Sequence, residues 1–212
     1  ALDAENVDAG MLRVYDGGSL DGDWWLATQV APAVGLADLM GVALPRRRAL
    51  GILRAAASAL DHLHANDIVL GLFRPYHIWV EDAGTFLDVG LEWIARTVEL
   101  RNASPGFVPV GNPRYLCPEL FQARGPTAAS DVYTLGLIAF EALVGREPFP
   151  AASPIDEVFR KRAADLEPVG PLELPVPAVA VLRRCLAGDP GQRWPTAGAF
   201  VASLERALTH EG

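Results

Sequence analysis

Residues 68–90 have the sequence IVLGLFRPYHIWVEDAGTFLDVG, and this stretch decides how the rest of the chain is interpreted. Two apolar segments flank a short polar turn at residues 82–84 (DAG). Aspartate and glycine favour tight turns, so we predict a β-hairpin over residues 79–88. A loop framed by apolar residues precedes the hairpin; the frame consists of Ile68, Val69, Phe73, Ile78, Trp79 and Val80. This frame predicts that the loop packs against a core.

The composition limits the class of protein. The chain has 212 residues, half of them apolar, which suits a single large domain with a sizeable core. Its formal net charge of −8 argues against nucleic acid or an anionic membrane surface as the main partner. No uncharged apolar run approaches the roughly 18 residues of a transmembrane helix, and nothing at the start resembles a signal peptide. We therefore expect a cytoplasmic protein that does not insert into a membrane.

The two cysteines, Cys117 and Cys185, lie far apart in the sequence and form no Cys-x-x-Cys motif. This spacing favours two reduced thiols, which agrees with a cytoplasmic location. A single long-range disulfide is the alternative.

Upstream of the central stretch we predict two strands, at residues 11–15 and 24–30, joined by a glycine-rich hairpin turn at residues 16–23. Side chains alternate between the faces of a strand, so one of Trp24 and Trp25 should face inward and the other outward. The downstream part of the chain is predicted to be mainly helical. We expect helices at residues 45–65, 127–144 and 179–187, a further helix starting at Ser153 and a last helix capped by Thr196.

Three motifs follow the central stretch: GNPRYLCPE at residues 111–119, SDVYTLGLIAFEALVGREPF at 130–149 and CLAGDPGQRWPTA at 185–197. Together with the central stretch they resemble the bacterial-type Ser/Thr protein kinase family. The resemblance covers roughly residues 10–208 and implies an α+β fold. It implies a mostly helical C-lobe over residues 32–212, and a truncated N-lobe remnant of two strands with the hinge over residues 1–31.

Most of the family's chemistry is replaced in the central stretch. By the resemblance, Leu72 stands where the catalytic aspartate is expected, Arg74 where a phosphate-steadying lysine is expected, and His77 where a metal-binding asparagine is expected. Asp88 keeps the charge of the D-F-G element. The sequence contains neither a Gly-rich loop nor a strand lysine in a V-A-I-K context.

These replacements lead us to expect a degenerate family member without enzymatic activity, because a positioned general base contributes about 10²–10⁴ in rate. Such a pseudokinase would act as a protein-binding, scaffolding or regulatory module and would bind no ATP or Mg²⁺. The alternative is a weakly active or repurposed nucleotide-dependent phosphotransferase that uses Asp88. A third possibility is the C-terminal piece of a longer chain with its N-lobe upstream.

Asp88 admits several interpretations. It could hold one Mg²⁺, although His77 is a poor ligand for that ion because Mg²⁺ prefers oxygen. Asp88 and His77 could together bind a transition metal, or they could form a structural hydrogen bond. Arg74 could instead pair with Asp88 and remove both residues from chemistry.

The resemblance also assigns structural and interface roles. Glu119 and Arg193 are expected to form a buried ion pair, and Asp131 to accept hydrogen bonds from the backbone of the loop that precedes the hairpin. The two predicted strands should have open edges and exposed apolar side chains. We expect another protein or a second copy to cover this surface, whose candidate residues are Leu12, Val14, Trp24 and Trp25.

Overall fold

The structure is a computed structural model that describes residues 10–21, 23–31, 34–81, 84–87, 113–122, 125–164, 166, 170 and 173–209. The described elements are mainly helical, with two small antiparallel sheets. The predicted α+β class is confirmed. The strands are β1 Val14–Leu20, β2 Asp23–Thr28, β3 Val34–Gly35, β4 Ile78–Glu81 and β5 Gly84–Leu87. The helices are α1 Arg46–Ala65, α2 Ala128–Val144, α3 Pro154–Ala163, α4 Val176–Cys185 and α5 Ala197–Thr209.

Helix α2 is the centre of the core. Every residue from Ser130 to Leu143 is buried, as expected for a helix that is apolar on nearly all sides. The helix begins after Thr127 and ends at Gly145, which adopts a left-handed conformation with φ of 80°. A Cβ at Gly145 would lie 2.5 Å from the backbone nitrogen of Ala43, so only glycine fits there.

Helices α1, α4 and α5 pack around α2. The apolar face of α1, predicted from its periodicity, is buried and includes Leu53, Ala57 and Leu60. Pro45 precedes α1, and Ser153 and Thr196 cap α3 and α5 through their hydroxyl groups, as the sequence predicts. Helix α4 begins three residues before the predicted start, because proline is tolerated in the first turn of a helix.

The β1–β2 hairpin differs from its prediction. Strand β1 begins at Val14 rather than at residue 11 and continues to Leu20, so Gly17 and Gly18 lie within the strand instead of in a turn. The register pairs Val14 with Thr28 and Leu20 with Asp23, with an irregularity between Val14 and Asp16. The turn is therefore much shorter than predicted, since the ladder continues through both glycines.

Strands β3, β4 and β5 form the second sheet in that order. The predicted hairpin is present, with Ile78 opposite Leu87 and Glu81 opposite Gly84. Ile78 is fully buried and anchors the hairpin to the core.

Both cysteines are buried free thiols, so the long-range disulfide is not formed. Burial raises the pKa of the Cys117 thiol to about 12. Among the described residues no helix is long and apolar enough to span a bilayer.

Candidate functional site

The loop before the β4–β5 hairpin is tied to helix α2 by a buried carboxylate. Asp131, in the first turn of α2, is fully buried and accepts hydrogen bonds from the backbone N–H of Leu70 at 2.9 Å and of Gly71 at 2.6 Å. His64, near the end of α1, places its Nε2 atom 2.8 Å from the same carboxylate. Because buried carboxylates need such partners, this arrangement fixes the loop to the core.

Gly71 is required for the shape of this loop. Its φ is +70°, a conformation that side chains rarely adopt, and a Cβ would lie 2.5 Å from Cβ of Pro126. The loop therefore passes directly against the segment that leads into α2.

Leu72 packs into the core. Its exposed fraction is 6%, and its neighbours Leu70 and Phe73 are buried as well. A hydrocarbon side chain neither orients nor deprotonates a hydroxyl group, so residue 72 supplies no general base.

Arg74 and His77 lie at the two ends of the 3₁₀ turn Pro75–His77. The backbone N–H of Arg74 donates to Nδ1 of His77 over 3.2 Å. The accepting Nδ1 atom carries no proton in this arrangement. Asp88 lies outside the described residues, and so do its expected pairings with His77 and Arg74. In the described part of the chain no three His, Cys, Asp or Glu residues cluster as metal ligands would.

Glu119 and Arg193 form a buried bidentate ion pair. The Nη1–Oε1 and Nη2–Oε2 distances are both 2.7 Å, and the Ser130 hydroxyl donates to Oε1 of Glu119 at 2.8 Å. Burial raises the pKa of Glu119, but the hydrogen bonds and the charge of Arg193 outweigh it and hold this pKa below its ordinary value. Arg193 also donates to the carbonyls of Ala187 and Ala129, so it joins the loop after α4 to the start of α2.

A pocket of about 370 Å³ lies beside the loop. Three parts of the chain meet there: the 3₁₀ turn Leu36–Leu39 with the two residues after it, the loop at residues 74–76, and the segment 114–115 backed by α2. The described lining consists of Ala37, Met40, Gly41, Arg74, Pro75, Tyr76, Arg114, Tyr115 and Glu141. Apart from Arg74, sequence reasoning missed these residues; the available signal was Glu141, a charged residue in the apolar second half of helix α2.

The carboxylate of Glu141 forms the acidic part of the pocket wall and is satisfied by its neighbours. Arg114 donates to Oε1, the Tyr115 hydroxyl donates to Oε2 at 2.7 Å, and Arg114 also reaches Glu147 at 3.1 Å. Burial, followed by the hydrogen bond to Glu141, raises the pKa of Tyr115, so its hydroxyl stays protonated. The Lys161 ammonium fixes the segment at residues 114–116 by donating hydrogen bonds to the carbonyls of Arg114 at 2.8 Å and Leu116 at 3.1 Å.

The interface candidates differ in exposure. Leu12 is 4% exposed and therefore does not contribute to an open surface, contrary to our expectation, because the chain itself covers it. Val14 is partly buried. Trp25 is 43% exposed, which agrees with an outward side chain, whereas the side chain of Trp24 lies outside the described set. Sequence reasoning missed Tyr15 and Leu20, which are 64% and 68% exposed on the same hairpin.

Comparison with known proteins gives a family match over most of the chain. The family model "Protein kinase domain" matches residues 11–204. The serine/threonine-protein kinase PrkC of Bacillus subtilis is 27% identical over 216 residues, which cover 98% of this chain and 32% of PrkC. The serine/threonine-protein kinase PknB of Mycobacterium leprae is 32% identical over 178 residues, covering 80% and 27% of the two chains. PknB of Mycobacterium tuberculosis is 29% identical over 218 residues, covering 95% and 33%.

The chain spans about a third of the length of these curated relatives. The family match and the relatives point to an enzyme, so our sequence-based prediction of a protein without enzymatic activity is wrong. That prediction rested on replaced residues such as Leu72 and on missing motifs, whereas the family match covers residues 11–204.

Proposed function

Because the chain belongs to the protein kinase family, we propose that it transfers the terminal phosphoryl group of ATP to serine or threonine hydroxyls of proteins. The observation that carries the proposal is the anchoring of the loop at residues 70–73 to Asp131, beside a pocket large enough for a substrate side chain. In phosphoryl transfer, catalysis comes almost entirely from positioning and electrostatic stabilisation. A loop fixed to the core supplies the positioning.

Because Leu72 carries no carboxylate, the expected rate of phosphoryl transfer is low. In the proposed reaction the P–O bond to the leaving ADP breaks, the bond from phosphorus to the hydroxyl oxygen forms, and the hydroxyl proton passes to water. A positioned carboxylate normally takes this proton and contributes about 10²–10⁴ in rate. We therefore propose a slow kinase in which binding and positioning carry the catalysis.

The proposal is tested by replacing Leu72. Transfer of labelled phosphate from ATP and Mg²⁺ to a serine-containing protein substrate is measured for the wild type, for Leu72→Asp and for the matched control Leu72→Asn. Residue 72 stands where the resemblance places the family's catalytic aspartate, so Leu72→Asp should raise the rate by about 10²–10⁴ over Leu72→Asn, which has the same shape but no base. Equal melting temperatures of the two variants establish that they fold alike.

No transfer by the wild type or by folded Leu72→Asp would overturn the proposed function. Transfer by the wild type that equals the rate of Leu72→Asp would show that the proton acceptor lies elsewhere, which contradicts the proposed effect of Leu72.

A second role, protein binding, is favoured by the exposed side chains of the β1–β2 hairpin. Tyr15, Leu20 and Trp25 are large apolar residues on a sheet that has two strands among the described residues. Apolar surface next to open strand edges is a pairing site. We propose that a second copy or another polypeptide packs on this hairpin, and that the protein, with its two free thiols, works in the cytoplasm.

A further inference from the structure

The pocket beside the loop carries a charge pattern that selects its ligand. Its described lining includes three charged side chains: two cations, Arg74 and Arg114, and one anion, Glu141. A ligand side chain that enters the pocket can bind only those charges that are not already paired within the protein.

The single anion is already neutralised by the chain. Both oxygens of Glu141 accept hydrogen bonds, one from Arg114 and one from the Tyr115 hydroxyl, and the residue is only 2% exposed. A basic ligand group would have to displace an internal guanidinium to reach this carboxylate. Because a buried charge that loses its partner is costly, such an exchange is unfavourable.

The guanidinium of Arg74 differs from the carboxylate of Glu141 in its partners. Its backbone N–H binds His77, but among the residues that the structure describes no hydrogen bond or ion pair involves its guanidinium. The side chain is partly exposed and borders the pocket. A guanidinium presents a planar pair of donors that matches a carboxylate.

We propose that this pocket binds an acidic side chain, aspartate or glutamate, of the protein substrate, with Arg74 as the residue that recognises it. The inference rests on the proposed function and names its substrate class: serine or threonine sites with an acidic neighbour. The pocket volume of about 370 Å³ lies in the range of specific ligand sites and exceeds what one such side chain needs.

Peptide binding tests the inference in the absence of ATP. Two fluorescent peptides with one central serine are compared, identical except that one carries glutamates and the other arginines on both sides of the serine. Their anisotropy is measured against the 212-residue chain at moderate salt. We expect the glutamate peptide to bind at least about tenfold more tightly, the effect of one hydrogen-bonded charge.

Three variants assign the preference to Arg74. Arg74→Gln should bring the glutamate peptide down to the affinity of the arginine peptide, and Arg74→Glu should reverse the preference. Arg74→Lys keeps the charge but not the planar pair of donors, so it should retain only part of the preference. The matched control is Arg54→Gln, which removes the same charge from helix α1, where Arg54 pairs with Glu205 at 2.6 Å outside the pocket. This control should bind both peptides as the wild type does.

Equal affinity for the two peptides, tighter binding of the arginine peptide, or an unchanged preference in Arg74→Gln would overturn the inference. Competition by inorganic phosphate as strong as that by free glutamate peptide would show a general anion site and would also overturn it. The outcome is separable from that of the proposed function. Phosphate transfer without charge preference removes the inference alone, whereas a charge preference without transfer removes the proposed function alone.

Discussion

At the scale of single residues, the stability of the fold depends on the ion pair between Glu119 and Arg193. Both side chains are almost fully buried, with exposed fractions of 4% and 0%. Arg193 adds bonds to three backbone carbonyls and lies over the ring of Tyr133, 4.6 Å from its centroid. The pair joins the segment at residues 118–122, the loop after α4 and the start of α2.

Removal of either partner should destabilise the protein strongly. Glu119→Ala or Arg193→Ala leaves an uncompensated buried charge, which costs about 3–5 kcal/mol. Urea unfolding measures the free energy of unfolding, with Arg54→Ala as a surface control expected to change it by less than about 0.5 kcal/mol. An unfolding midpoint of Glu119→Ala equal to that of the control would contradict the structural role of the pair.

The same pair predicts an acid dependence of stability. The pKa of Glu119 is lowered in the folded protein relative to its ordinary value of 4.5. A carboxyl group with a lowered folded pKa contributes stability above its unfolded pKa and loses that contribution as the pH falls. Stability should therefore decline below a pH of 4.5. Urea midpoints measured across this range should fall less steeply for Glu119→Gln than for the wild type; parallel curves would refute the assignment.

At the scale of elements, helices were easier to predict than the first hairpin. Pro45, Ser153 and Thr196 mark helix starts through local chemistry, and Gly145 marks a helix end, so short-range sequence signals were sufficient. Glycine is an equally strong turn signal, yet Gly17 and Gly18 lie in strand β1. Pairing with β2 outweighed their local preference there.

The β1–β2 hairpin carries the prediction of a protein partner. If a second copy packs on it, light scattering should show a mass that rises with concentration, and Trp25→Ser should lower that rise. Val176→Ser is the matched control, because Val176 is 74% exposed on α4, outside the hairpin. A constant monomer mass would exclude the second copy. Recovery of the same cellular proteins by the wild type and Trp25→Ser would then contradict a partner at this surface.

At the scale of the whole molecule, the sequence predicted the fold but not the pocket. The helices follow from apolar periodicity and capping residues, which act over a few positions, and the fold class follows from the resemblance of the motifs to a known family. The pocket brings Arg74, Arg114 and Glu141 together from three separate segments, and no local pattern specifies that meeting. The sequence therefore indicated the resemblance and the replaced residues of the loop. It did not indicate that Arg114 pairs with the buried carboxylate of Glu141.

The burial of Cys117 and Cys185 has a consequence for experiments on the whole molecule. Thiolates react and neutral thiols do so poorly, and Cys185 is packed so closely against Gly136 that a Cβ there would lie 2.7 Å from its sulfur. A water-soluble alkylating reagent therefore modifies these sulfurs only in molecules that have unfolded locally or globally. The chain carries two natural reporters, in helix α4 and beside the Glu119 pair, whose labelling times record how often each region opens.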